Sequence, residues 1–324
     1  MIQGPSVWRR LGWRLEALGY DALAILLRAL PVDWASWVGG AVVQVLGPLT
    51  PKQRIVLRNL ELAFPEKPYA ERRALARAFW NSLGRTVAEF PLMDRLTPAR
   101  GRVEVVGAEH LTPLIASGQA GVLVSGHLSN WEVMMAGILS TGLKSHVSYR
   151  PANNPHVDRR IVESRRRYGV ELFAPKGGNG TRELLAALGR GESVALLNDQ
   201  RDNAGVEAPF FGRMVRTAPG PSRFALKFGR RLYPCSVARL KGARFRMTFH
   251  APIEVAVSGD READLTAAVA QVNRFIEARV RERPAEWLWA HRRWPLQCYE
   301  DLAPPAAARS GAASESSLRR QGPA

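Results

Sequence analysis

Hydrophobic and polar positions divide this chain into two textures. Up to about residue 100 the apolar residues recur at helical spacing, with Pro31, Pro51, Pro65 and Pro91 as punctuation and no strand-like alternation. Leu15, Leu18, Ala22, Ile25, Leu26 and Ala29 form one apolar stripe, and Arg14, Asp21 and Arg28 recur at intervals of seven. This predicts an amphipathic helix rather than the run of about 20 predominantly apolar residues that crosses a bilayer. Trp8 and Trp13 beside Arg9 and Arg10 suit a lipid headgroup region. A helix packed on its own domain would carry the same stripe, so both readings stay open. Residues 34–49 are also apolar, but Gly39, Gly40, Gly47 and Pro48 make them an interfacial or packed helix rather than a continuous span.

From Val103 short β-branched runs alternate with helical stretches. VEVV at 103–106, GVLVS at 121–125, HVSY at 146–149, VELF at 170–173 and SVALL at 193–197 predict strands. Helices are expected at 131–140, 155–168 and 180–189, which gives the βαβ rhythm of a largely parallel sheet. RLYPCSVARL and RFRMTFHAPIEV read as later strands, and 261–283 as a strong helix with Leu265, Val269, Val272, Ile276 and Val280 on one face. After Leu302 the chain lacks the large apolar residues that offset the entropy of ordering. The expected organisation is therefore α/β: membrane-proximal helices over 1–50, a main domain with a mostly parallel sheet flanked by helices over 51–302, and a disordered tail over 303–324.

Composition narrows the partners. With 324 residues, 46% of them hydrophobic, the chain can bury a sizeable core. Lys and Arg number 46 against 29 Asp and Glu, a formal net charge of +17, which favours an anionic partner: nucleic acid, an anionic membrane or an acidic carrier. The two cysteines, Cys235 and Cys298, show neither CxxC nor ligand spacing, which points to a reducing compartment rather than a disulfide framework. No small-residue cleavage pattern follows the first apolar stretch, so no cleaved signal peptide is expected.

The densest chemistry lies in VLVSGHLSNWEVMMAGIL, which reads as buried strand, glycine turn, polar loop and helix. His127 then stands at the carboxyl end of a strand, where open α/β sheets build their sites. Glu132 lies five positions on, and at roughly 100° per residue a single helix would put the two on different faces. They meet only if His127 is in the loop and Glu132 in the helix's first turn. The carboxylate would then hold one imidazole nitrogen and leave the other to take a proton from an alcohol. An unrelated, structural pair of residues would have the same spacing.

GHLSNWE after an apolar strand resembles the HxxxxE signature of the lysophospholipid acyltransferase superfamily, and within it most resembles the late acyltransferases of lipid A biosynthesis, the lauroyl and myristoyl transferases. Further blocks are similar in the same order: RNLELAFPEKPYAERRALARAFWNSLGRTVAE at 58–89, YRPANNPHVDRRIVESRRRYGVEL at 149–172, NDQRDNAGVEAPFFGRMVRTAPGPSRFALKFG with its PFFG turn at 198–229, and EWLWAHRRW at 286–294. The resemblance implies a glycerol-phosphate-acyltransferase-like fold on the cytoplasmic face of a bacterial inner membrane. It implies an acyl carrier protein thioester as donor, a hydroxyl of a phosphorylated glycolipid, a lipid A precursor, as acceptor, and no cofactor. It makes His127 the general base and Glu132 its orienting partner, and gives Asn130, Arg150, Asn154, Asp199 and Gln200 to substrate binding. Arg150, before Pro151 at the end of a predicted strand, would bind phosphate bidentately or stabilise charge on a thioester oxygen.

Other readings have less behind them. KGGNGTRE at 176–183 is either a phosphate-binding helix start or an ordinary glycine turn. Trp287, Trp289 and Trp294, interleaved with His291, Arg292 and Arg293, would suit base stacking, but no nucleic-acid fold pattern accompanies them. The six histidines are dispersed without HExxH, and neither GxSxG nor GxxxxGK[ST] occurs.

Overall fold

The computed structural model describes residues 6–149, 151–170, 173–175 and 178–302; Arg150 and the 303–324 segment, for which disorder was expected, lie outside it. Four helices come first: α1 (Val7–Ala29), α2 (Val32–Leu46), α3 (Lys52–Ala63) and α4 (Tyr69–Glu89). There follow β1 (Val103–Val106), α5 (Thr112–Ala116), β2 (Val122–Ser125), α6 (Val133–Ser140), β3 (Ser145–Tyr149), α7 (Pro155–Arg166), β4 (Phe173–Pro175), α8 (Gly178–Gly189) and β5 (Ser193–Leu197). The chain continues through β6 (Arg201–Phe210), β7 (Arg213–Thr217), α9 (Gly220–Phe228), β8 (Leu232–Arg239), β9 (Phe245–Phe249) and α10 (Arg261–Glu282).

Seven strands form one sheet in the order β1-β9-β8-β2-β5-β3-β4. Every pairing is parallel except β8 with β9. All four residues of β2 are buried, which is why VLVS shows no polar alternation. Its side chains divide between two cores: Val122 and Val124 pack with Leu184, Phe224 and Ile276, while Leu123 packs on the other face with Met134, Ile138 and Met247.

Two elements differ from expectation. The strand expected at 170–173 is Phe173–Pro175, with residues 171–172 outside the described set. The stretch after Gln200 contains an antiparallel hairpin, β6 with β7, and helix α9, neither of which its polar, Gly- and Pro-rich pattern announced. The PFFG turn is where it was expected: Phe211 at φ +50° and Gly212 at φ +69° give the two left-handed residues of a tight hairpin.

At the N-terminus α2 lies against α4 at glycine contact. A Cβ on Gly39 would come 2.6 Å from Gly84 O and 2.3 Å from Ala88 Cβ, so the two backbones approach as only small residues allow. Leu27, Val32 and Ala35 join the same apolar cluster as Leu123 of the central strand. The opposite side of these helices stays open, with Trp8 82%, Ile25 69%, Leu26 67%, Trp34 62% and Leu49 78% exposed. Among the described residues no helix is long and apolar enough to cross a membrane.

Candidate active site

Two loops leave the sheet side by side at the carboxyl ends of β2 and β5. Asn198 N donates to Ser125 O at 2.8 Å, adding one rung to the β2–β5 ladder and bringing Asp199 beside Gly126 and His127. A Cβ at Gly126 would sit 3.1 Å from Asp199 Oδ2 and 3.2 Å from Ile276 Cγ2, so glycine permits this approach. Asp199 is 1% exposed and accepts three hydrogen bonds: from His127 N (2.6 Å), from Trp287 Nε1 (2.7 Å), and across 2.6 Å from His127 Nδ1. Burial pushes its carboxyl up, but the His127 imidazole and the bonds it receives outweigh burial and hold it well below the usual carboxylate range. An ionised carboxylate only accepts, so Nδ1 carries a proton, and in the neutral ring the lone pair is then on Nε2. Gln200 Nε2 lies 3.5 Å from that nitrogen, and the Trp131 ring stands edge-on to the imidazole with centroids 5.1 Å apart.

Glu132 is not the residue that orients His127. Its carboxylate takes Arg165 Nε at 2.9 Å and Nη2 at 2.5 Å, and Tyr168 Oη donates to it at 3.3 Å. The cause is local backbone: Ser129 adopts φ +52°, a left-handed turn fixed by Ser129 N donating to Glu286 O at 2.6 Å and by Thr86 Oγ1 donating to Ser129 O at 3.2 Å. After that turn Trp131 faces the imidazole and Glu132 faces α7. Burial alone would lower the Arg165 guanidinium's pKa, but Glu132 raises it further than burial lowers it, so the guanidinium stays charged. Burial drives the Tyr168 hydroxyl far up.

His127, Gln200 and the Glu132–Arg165 pair border a cavity of about 480 Å³, otherwise lined largely by apolar side chains including Met134, Met135, Val147, Val170, Leu184 and Phe224. This is the size and texture of a site for a mostly hydrophobic ligand. The geometry supplies an oriented base at one wall of a greasy pocket. Among the described residues no three His, Cys, Asp or Glu side chains are grouped so as to hold a metal ion.

A family model described as bacterial lipid A biosynthesis acyltransferase matches residues 14–295. The chain belongs to that family. It is 29% identical to a phosphatidylinositol mannoside acyltransferase of Mycolicibacterium smegmatis, over 93% of this chain and 97% of the relative. It is also 29% identical to the lipid A biosynthesis lauroyltransferase of Escherichia coli, over 75% of this chain and 79% of that one. A palmitoleoyltransferase of lipid A biosynthesis from Escherichia coli matches at 25% identity over 82% and 86%. A crystal structure of the 1-acyl-sn-glycerophosphate acyltransferase from Thermotoga maritima aligns with 74% of this chain and 100% of its own, at a TM-score of 0.36 and 15% identity.

Of the residues expected to bind substrate in this acyltransferase, Gln200 lines the cavity and three others are engaged inside the protein. Asn130 is fully buried; its Nδ2 donates to Glu89 Oε2 at 2.9 Å and its Oδ1 accepts from Glu132 N at 3.2 Å. Asn154 caps α7 through His156 N at 2.9 Å and donates to Trp13 O and Glu16 Oε2 of α1, each at 2.8 Å. Asp199 holds His127 through Nδ1 and the backbone N. Arg150 lies outside the described residues, as do Lys176 and Gly177 of the KGGNGTRE segment, whose remainder begins α8. The base-stacking reading is overturned, because Trp287, Trp289 and Trp294 are all 0% exposed. Sequence reasoning missed Arg165, one of several arginines in a basic run, and Trp287, whose indole N–H reaches the Asp199 carboxylate from the core.

Proposed function

We propose that this acyltransferase moves a fatty acyl chain from a thioester on acyl carrier protein to a hydroxyl of a lipid A precursor, with His127 as general base and Asp199 as its orienting carboxylate. The observation that carries this reading is the His127 Nδ1–Asp199 bond, which leaves a basic Nε2 bordering a cavity lined mainly by apolar groups. Nε2 takes the acceptor proton, the alkoxide attacks the thioester carbonyl, and the imidazolium returns the proton to the leaving thiolate. Asp199 stabilises the transient imidazolium and keeps the ring in the productive tautomer. Glu132 acts through Arg165, fixing a guanidinium at the cavity wall. The thioester is a co-substrate, and the scheme uses no cofactor.

The charge of +17 supports an acidic carrier and a phosphorylated acceptor, and the burial of Trp287, Trp289 and Trp294 takes away the stacking surface that EWLWAHRRW suggested. The exposed apolar side of α1 and α2, with Arg9 and Arg10 beside Trp8, supports peripheral docking on an anionic leaflet. Our reading takes that leaflet to be the cytoplasmic face of the bacterial inner membrane, as the resemblance implies. A second acceptor is supported by the relative that this chain matches over 97% of its length: a mannosylated phosphatidylinositol. The test is transfer by the purified chain from acyl carrier protein and coenzyme A thioesters to each glycolipid, read by mass spectrometry. Acylated lipid A precursor formed by wild type and not by His127→Ala is the expected result; product on the mannosylated lipid alone moves the acceptor, and no product on either removes the reading.

A further inference from the structure

Attack on a thioester drives an electron pair onto the carbonyl oxygen, and in an apolar cavity that charge needs a donor already in place. Buried donors without a partner are uncommon in folded proteins, since each forfeits its hydration without a compensating hydrogen bond. Among the described residues, two side chains lining the cavity carry such an atom: Arg165 Nη1 and Asn198 Nδ2. The Arg165 charge is already countered by Glu132 through its other two nitrogens.

Asn198 has no such engagement. The residue is 3% exposed, and its amide nitrogen has no hydrogen-bond partner. Its backbone position is fixed by the extra rung to Ser125, which sets it next to the strand end that carries His127. Asp199 follows and holds the base; Gln200 comes next and touches the base's free nitrogen. An aliphatic residue at 198 would relieve the fold of a buried unpaired amide, so stability alone gives no reason for asparagine here. A polar side chain kept at this position points to the reaction.

We propose that the Asn198 side-chain amide is the oxyanion donor of this site; the proposal rests on the acyl-transfer reading above. As the acceptor oxygen loses its proton to His127 Nε2 and bonds to the thioester carbon, the carbonyl π pair moves onto oxygen, where the amide N–H donates to it. Collapse of that intermediate breaks the carbon–sulfur bond, restores the carbonyl and releases the thiolate, which takes the proton back from His127.

The experiment measures steady-state transfer from a saturated acyl carrier protein thioester to the glycolipid acceptor that wild type uses, for full-length wild type, Asn198→Ala and Asn198→Asp, alongside their melting temperatures. Both variants should lose on the order of 10²–10³ in kcat with KM for both substrates nearly unchanged. Asn198→Ala should melt at or above the wild-type temperature, which a merely structural asparagine would not allow. Wild-type turnover in Asn198→Ala overturns the proposal alone. A loss of kcat that tracks a fall in melting temperature in both variants assigns Asn198 to the fold and also overturns it. A wild-type chain that transfers to no acceptor overturns the underlying reading instead.

Discussion

The loop after β2 and the loop after β5 leave neighbouring strands at the same end of the sheet, yet their carboxylates have exchanged the roles that spacing suggests. Glu132 belongs to the loop that carries the base and pairs with Arg165 of α7. Asp199 is 72 residues from His127 along the chain and makes two bonds to it. The difference lies in how each reaches the imidazole. Ser129's left-handed turn rotates the first carboxylate away, whereas the β2–β5 ladder carries the second into place with the accuracy of a hydrogen-bonded sheet. In a parallel sheet, lateral neighbours are better partners than residues close in sequence.

The largest effects should come from the His127–Asp199 pair itself. His127→Ala should lower transfer by about 10⁴-fold, the upper end for a lost general base. Asp199→Asn should follow at roughly 10³–10⁴, because an amide stabilises the wrong imidazole tautomer. Glu132→Gln should cost transfer less than Asp199→Asn does, while lowering stability by about 3 kcal/mol through the stranded Arg165 charge. Single-turnover kinetics and denaturant melts of the three variants rank them; a Glu132→Gln loss that exceeds that of Asp199→Asn would restore the spacing-based assignment and break the comparison.

A smaller effect isolates the support behind Asp199. Trp287→Phe keeps the aromatic volume and removes one of the three donors to the carboxylate. Transfer should fall about tenfold, as for a lost hydrogen bond to a charged group. Loss as large as that of Asp199→Asn would make the indole, not the histidine, the main partner of the carboxylate.

The last effect is read in stability against pH. Burial raises the Asp199 carboxyl, and the His127 contacts more than reverse this, so its folded pKa lies below its unfolded value. Such a group contributes stability above the unfolded value and loses it as pH falls through the folded one. The stability deficit of Asp199→Asn relative to wild type should therefore be full at pH 7 and shrink below about pH 4. Urea melts across this range check it, and a deficit constant down to pH 2 would mean that the carboxylate's charge contributes nothing.

Much of this arrangement was legible because it is periodic. The strand-like runs of β1, β2, β3, β5, β8 and β9 and the stripe of α10 announced themselves, and so did a histidine after an apolar strand. The β6–β7 hairpin did not, since RDNAGVEAPF is broken by Gly205 and Pro209 and is held largely by contacts from α10 and the C-terminal segment, such as Asn273 Nδ2 to Pro209 O at 3.1 Å. Asn130 and Asn154 were legible as polar residues in telling places, but sequence does not distinguish an amide that meets a ligand from one that ties a loop or caps a helix. Trp287, Trp289 and Trp294 show the same limit from the apolar side: an indole among arginines reads as a stacking surface until the fold buries it.

The carboxylate of Glu89 has a practical consequence for preparing a solubilised enzyme. Glu89 is fully buried and binds Ser36 Oγ of α2 at 2.6 Å, Asn130 Nδ2 of the catalytic loop at 2.9 Å and Arg239 Nη2 of β8 at 2.9 Å. Cutting the chain near residue 50, the natural choice for anyone wishing to discard the exposed apolar side of the first helices, removes Ser36 and uncovers Gly84. It opens to solvent the carboxylate on which Asn130 is anchored. Trimming the exposed apolar surface is therefore better done by replacing outward-facing residues such as Ile25 and Leu49 one at a time than by shortening the protein.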